Sequence, residues 1–88
     1  MADTFLLEVA TPDQLLVNER VSEAQIPAAN GYLGILPGHA PLLAELGAGE
    51  LSYTTGGHRR TVKVDGGWVE ITWDSARVLA TTAERPGE

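Results

Sequence analysis

Asn30-Gly31-Tyr32-Leu33-Gly34-Ile35-Leu36-Pro37-Gly38-His39-Ala40-Pro41-Leu42-Leu43 is a short apolar run punctuated by residues that dictate backbone direction. Asn30-Gly31 suits a tight turn that needs positive φ, and Pro37-Gly38 suits a type II turn with Pro at its second position. Pro41 holds Ala40 extended, so the chain leaves this turn as a strand. The reading is a stiff, kinked loop that displays His39 between two apolar anchors, Leu33/Ile35 and Leu42/Leu43. Rigid loops that display a side chain are commonly contact sites.

Strand-like sequence flanks the loop on both sides. Upstream, residues 4–11 set Phe5, Leu7 and Val9 against Leu6, Glu8 and Ala10, the period-two alternation of a strand. Thr11-Pro12-Asp13-Gln14 reads as a type I turn. Residues 14–17 form a short strand that Asn18-Glu19 turns back, and residues 21–27 alternate if a bulge follows Arg20. Downstream, residues 41–46 are apolar enough for a core strand, which Gly47-Ala48-Gly49 ends. Residues 50–55 and 59–64 alternate about a Gly56-Gly57 hairpin signal, and Gly66-Gly67 marks the next turn. Val69, Ile71 and Trp73 then share a core face opposite Trp68, Glu70 and Thr72, and Asp74-Ser75 closes a last hairpin into residues 76–83. Eight to ten short, mainly antiparallel strands at turn intervals of roughly eight to twelve residues predict an all-β fold. It is a single small β-sandwich of two sheets over residues 1–84, followed by a polar tail at 85–88.

Composition narrows the function. A chain of 88 residues makes one domain with a thin core. It has no cysteine, hence no disulfide, thiolate metal site or nucleophilic thiol. A net charge of -6, with Arg59, Arg60 and Lys63 as the basic cluster, argues against a nucleic-acid face. No apolar run approaches a membrane span, and Met-Ala-Asp-Thr lacks the features of a signal peptide, so membrane contact is expected only through partners. The two histidines, His39 and His58, lack metal-ligand spacing, and no serine sits in a G-x-S-x-G elbow. Gly47-x-Gly49 is followed by strand-like sequence, not by the helix a phosphate loop needs. No catalytic, cofactor or metal site is expected. Trp68, opposite the core-facing set, and Leu36 in the loop are the expected apolar contacts, with Tyr32 and His39 on the displayed rim. The rival reading is a free-standing ligand-binding or carrier sandwich with a modified Lys63. That residue lies inside an alternating strand, whereas biotinyl and lipoyl carriers present the lysine at a hairpin tip.

The pattern G-x-L-G-I-L-P-G-H-A-P-L-L over residues 31–43 resembles the signature of the epsilon subunit of bacterial F-type ATP synthases, the delta subunit of mitochondria. Val64-Asp65-Gly66-Gly67-Trp68-Val69-Glu70-Ile71 is similar to a second segment of that family, and Val78-Leu79-Ala80-Thr81-Thr82-Ala83-Glu84 to a third. The resemblance runs from about residue 4 to 85. It implies a non-catalytic sandwich on the rotor stalk, between the gamma subunit and the c ring, coupling proton flow to ATP synthesis. The complex would sit peripherally on the cytoplasmic face of the cell membrane. Gly31, Leu33, Gly34, Pro37, Gly38 and His39 carry over as loop positions, and Gly66 and Gly67 as structural ones. Tyr32 departs from the family, which commonly has an acid there. Family members continue into a carboxy-terminal helical hairpin that inhibits ATP hydrolysis. The last residue here is Glu88, so these residues are expected to act without that element.

Overall fold

The computed structural model of the chain describes residues 3–85; Met1, Ala2 and residues 86–88, most of the expected tail, lie outside the described residues. Eight strands follow one another: β1 (Phe5–Ala10), β2 (Leu15–Val21), β3 (Glu23–Ala28), β4 (Gly31–Ile35), β5 (Leu42–Glu45), β6 (Ala48–Thr55), β7 (His58–Ile71) and β8 (Ser75–Glu84). No helix occurs among the described residues. The hydrogen-bonded order is β2-β1-β8-β7-β6-β3-β4, with β5 on the remaining edge of β7. Only the β1–β8 pair is parallel, so the small, mainly antiparallel all-β sandwich expected from the sequence is the fold observed.

Two hairpins build most of it. Leu42 pairs with Ile71 and Thr55 with His58 in one unbroken register, so β5 and β6 together face the whole of β7. The tip is Gly56-Gly57, with φ of 57° and 81°. Positive φ at both central residues is the geometry whose twist matches the flanking strands. β7 then pairs with β8 about a two-residue loop, Trp73-Asp74, where the Thr72 N–H donates to the Ser75 carbonyl at 2.9 Å.

Gly66-Gly67 does not make the expected turn. β7 runs through both glycines for 14 residues. What the glycines change is the face of the strand that meets the core. Val62 and Val64 are buried before them, Val69 and Ile71 after them, so buried positions pass from even to odd numbers. Positive φ at both residues, 70° and 121°, interrupts the alternation that a uniform strand would keep. At the same point β7 exchanges β6 for β5 as its neighbour. The two layers are therefore joined through β7 and β8 in one hydrogen-bonded network. β2 packs on β6 although β1, β8 and β7 lie between them in the order, as a folded-over sheet requires.

Three further local expectations are corrected. Asn18-Glu19 is no turn: β2 passes straight through, with Asn18 opposite Glu8 and Glu19 opposite Leu7, because pairing with β1 outweighs a weak turn signal. Residues 31–35 are strand, not loop, since β4 pairs with β3 from Ala28–Gly31 to Ala24–Ile35. Trp73 lies in the hairpin loop and is 63% exposed, so it is not part of the core face with Val69 and Ile71. One hydrophobic cluster fills the interior, including Phe5, Leu7, Val17, Ile26, Tyr53 and Val69.

Candidate docking surface

The displayed loop reduces to residues 36–41. Its turn is held by the His39 N–H donating to the Leu36 carbonyl at 3.1 Å, with Gly38 at φ 81°. Pro37 at the second position and a positive-φ glycine at the third are the requirements of a type II turn. Leu36 is 63% exposed and His39 half-buried. The His39 ring is aimed locally: Nδ1 lies 2.7 Å from the Ala40 carbonyl oxygen, which can only accept, so Nδ1 donates.

Tyr32 sits at the other end of β4. Leu36 is four residues further on, a span of roughly 13 Å along an extended chain. Tyr32 and His39 therefore do not share the single rim expected of them. Tyr32 pairs with Pro27, which has no N–H, and the Pro27 carbonyl accepts from the Gly47 N–H at 2.8 Å. The Glu50 N–H opposite finds the Tyr32 hydroxyl instead, at 3.3 Å. The ring thus reaches from β4 across β3 to β6, and Gly49 leaves room for it: a Cβ there would stand 2.9 Å from the Tyr32 hydroxyl. The ring remains 59% exposed. Of the other loop positions, Leu33 packs against the core edge, Gly31 opens β4 at φ 129°, and Gly34 lies beside the Gln25 side chain.

Trp68 is 55% exposed on the outer face of β7. Across the sheet it pairs with Leu79, Leu79 with Ala10, and Ala10 with Leu15, an apolar row over four strands. The adjacent row is charged. Arg77 lies between Glu70 and Glu8, with Nε 3.2 Å from Glu8 Oε1 and Nη1 3.9 Å from Glu70 Oε1. Leu79, Leu15 and Leu43, all exposed, were missed by the sequence reading. A signal existed. Positions equidistant from the Trp73-Asp74 loop must pair, and the opposite charges of Glu70 and Arg77 mark that register, which brings Leu79 beside Trp68.

Little here supports chemistry. No group of three or more His, Cys, Asp or Glu side chains that could hold a metal ion occurs among the described residues. His58 opens β7 at the hairpin opposite Thr55, and Lys63 lies mid-strand between Glu50 and Glu84. Burial raises the Tyr53 hydroxyl above its ordinary pKa of 10.0, and the nearby Glu19 adds to this, while Arg85 and Arg60 oppose it. No helix is long and apolar enough to cross a membrane.

Residues 4–86 match the profile of the family described as ATP synthase, Delta/Epsilon chain, beta-sandwich domain. The ATP synthase epsilon chain of Solibacter usitatus is 58% identical over all 88 residues, and that of Koribacter versatilis 51%. The chain spans 66% and 62% of the lengths of these two relatives. Among solved structures, a chain of the Euglena gracilis mitochondrial ATP synthase (OSCP/F1/c-ring, rotational state 1) has the same fold. It superposes with a TM-score of 0.87 at 22% identity, covering 97% of this chain and 55% of that one. A sandwich folded about Gly66-Gly67, with the 31–43 motif on its β4 edge and a family match over nearly its whole length, belongs to the delta/epsilon-chain β-sandwich family of ATP synthases.

Proposed function

We propose that this chain is the rotor-stalk sandwich of a proton-translocating F-type ATP synthase, a non-catalytic subunit that docks on the gamma subunit and the c ring. In that role it couples ring rotation to ATP synthesis. The observation that carries this reading is the match of the entire sandwich to the family, at 58% identity to an ATP synthase epsilon chain. The surface agrees with a docking module. Its large exposed side chains are apolar or aromatic: Tyr32 and Leu36 on the β4 side, Trp68 and Leu79 on the outer face of β7 and β8. Such anchors commonly dominate protein interfaces. His39, aimed by its turn, completes the set of proposed contacts. The subunit would reach the cytoplasmic face of the cell membrane through the complex alone.

Reconstitution tests the proposal. An epsilon-depleted ATP synthase is supplemented with these 88 residues, and proton pumping and ATP hydrolysis are assayed together. The expected outcome is restored coupling with hydrolysis left unsuppressed. Failure of the chain to bind the depleted complex would refute the docking role. Strong suppression of hydrolysis would assign an inhibitory action to the sandwich itself.

A further inference from the structure

A cleft of about 460 Å³ opens between the β3–β4 turn and β5, lined chiefly by Asn30, Tyr32, Leu33, Leu42, Leu43 and Glu45. The hydrogen-bonded backbone defines its shape. The Ala29 N–H donates to the Glu45 carbonyl at 2.9 Å, and Ala28 bridges Leu46. The Tyr32 ring is fixed by its bond to the Glu50 N–H. Glu45 is the one charged residue of the lining, and none of the six Lys and Arg residues of the chain reaches it. Among the described residues the ion pairs belong to Arg77, with Glu8 and Glu70, and none engages Glu45.

We infer that this cleft receives one basic side chain, an arginine or a lysine, carried on an exposed loop of a protein partner. Three properties select that occupant. Long basic side chains lay their methylene stems on apolar surface while the charged head stays at the rim, and the leucines here offer such a wall. The exposed face of Tyr32 attracts a cation held over it. Glu45 supplies the counter-charge, and the net charge of -6 favours approach of a basic loop from a distance. An apolar occupant would desolvate the Glu45 carboxylate without compensation. An acidic one would meet it as a like charge. The cleft volume leaves room for the loop backbone beside the side chain. The partner would be the rotor subunit whose loop faces the β3–β4 turn, and in this the inference rests on the docking role proposed above.

Two measurements separate the inference from that role. In the first, the 88-residue chain is titrated with a blocked Gly-Arg-Gly peptide, and with Gly-Gln-Gly as control, while its amide resonances are followed. Saturable shifts at Tyr32, Leu43 and Glu45 are expected from the arginine peptide alone. They should weaken with added salt, and the Glu45→Gln variant should bind about fivefold less tightly. Equal shifts from the glutamine peptide, or arginine shifts indifferent to Glu45→Gln, would overturn the inference. A thermal melt of the variant checks that its fold is intact. In the second measurement, wild type and Glu45→Arg are bound to the epsilon-depleted complex. Charge reversal should raise Kd at least about tenfold. Tight binding of both chains would sink the cleft inference and leave the docking role standing. No binding by wild type, with the peptide result intact, would do the reverse.

Discussion

Gly38 and Gly67 both hold positive φ, yet their surroundings make them unequal. At Gly38 a Cβ would meet nothing within 4 Å, so only the backbone conformation, φ 81°, opposes a side chain. Gly38→Val is expected to cost about 1–2 kcal/mol for that reason. At Gly67, with φ 121°, a Cβ would run into the carbonyl oxygen of Leu79 on the paired strand. Gly67→Ala must move backbone and should cost more, about 3 kcal/mol or above. His39→Ala, whose ring bonds only the neighbouring carbonyl, should cost under about 0.5 kcal/mol. Urea midpoints give the order; a larger loss for Gly38→Val than for Gly67→Ala would contradict it. Tyr53 yields a pH prediction. Its pKa is raised by burial first and by Glu19 second. A group raised on folding binds its proton more tightly in the native state, so its stabilisation is complete below the unfolded value of 10.0 and is lost as pH climbs through the folded one. Stability should therefore fall between about pH 9.5 and pH 11.5, and Tyr53→Phe should flatten that slope. An equal slope in both proteins would show that other groups cause it.

At the level of elements, what was legible in the sequence was what short range decides. β1 announced itself by alternation, and Gly56-Gly57 and Pro37-Gly38 by turn chemistry, because each needs only its own few residues. Gly66-Gly67 has the same composition as the Gly56-Gly57 tip and is nonetheless strand. The difference lies in its partners: the Leu46 N–H donates to the Gly67 carbonyl and the Gly66 N–H to the Gly47 carbonyl. Pairing from outside the window likewise kept Asn18-Glu19 in β2 and residues 31–35 in β4. The contact residues fared similarly. The exposure of Trp68 followed from alternation, whereas the Tyr32 hydroxyl bond depends on Pro27 leaving β6 without a match, two strands away. That bond is testable. Tyr32→Phe keeps the ring and strands the Glu50 N–H, so amide exchange at Glu50 should accelerate and stability fall by about 1 kcal/mol. Unchanged exchange there would mean water already serves the Glu50 amide.

On the scale of the whole molecule, the joined layers leave one outer face with two contrasting rows. The charged row, Glu70-Arg77-Glu8, satisfies itself through its ion pairs. The apolar row from Trp68 through Leu79 and Ala10 to Leu15 has nothing of its own to cover it. Exposed charge pairs add little to affinity, while a large aromatic anchor flanked by aliphatic groups can dominate an interface. If the proposed docking on gamma uses this face, Leu79→Lys places a charge against Trp68 where the partner must exclude water. Leu79 is 50% exposed, so the isolated domain should lose no more than about 0.5 kcal/mol, and its melt should barely move. Binding to the epsilon-depleted complex should weaken by about 2 kcal/mol or more, roughly thirtyfold in Kd, and Trp68→Ala should behave alike. Arg77→Ala, in the neighbouring row, is the control: it removes two exposed ion pairs and should change Kd less than about fivefold. A Leu79→Lys chain that melts normally and still binds as tightly as wild type would remove this face from the interface. The contact would then have to lie on the β4 side, around Tyr32 and Leu36.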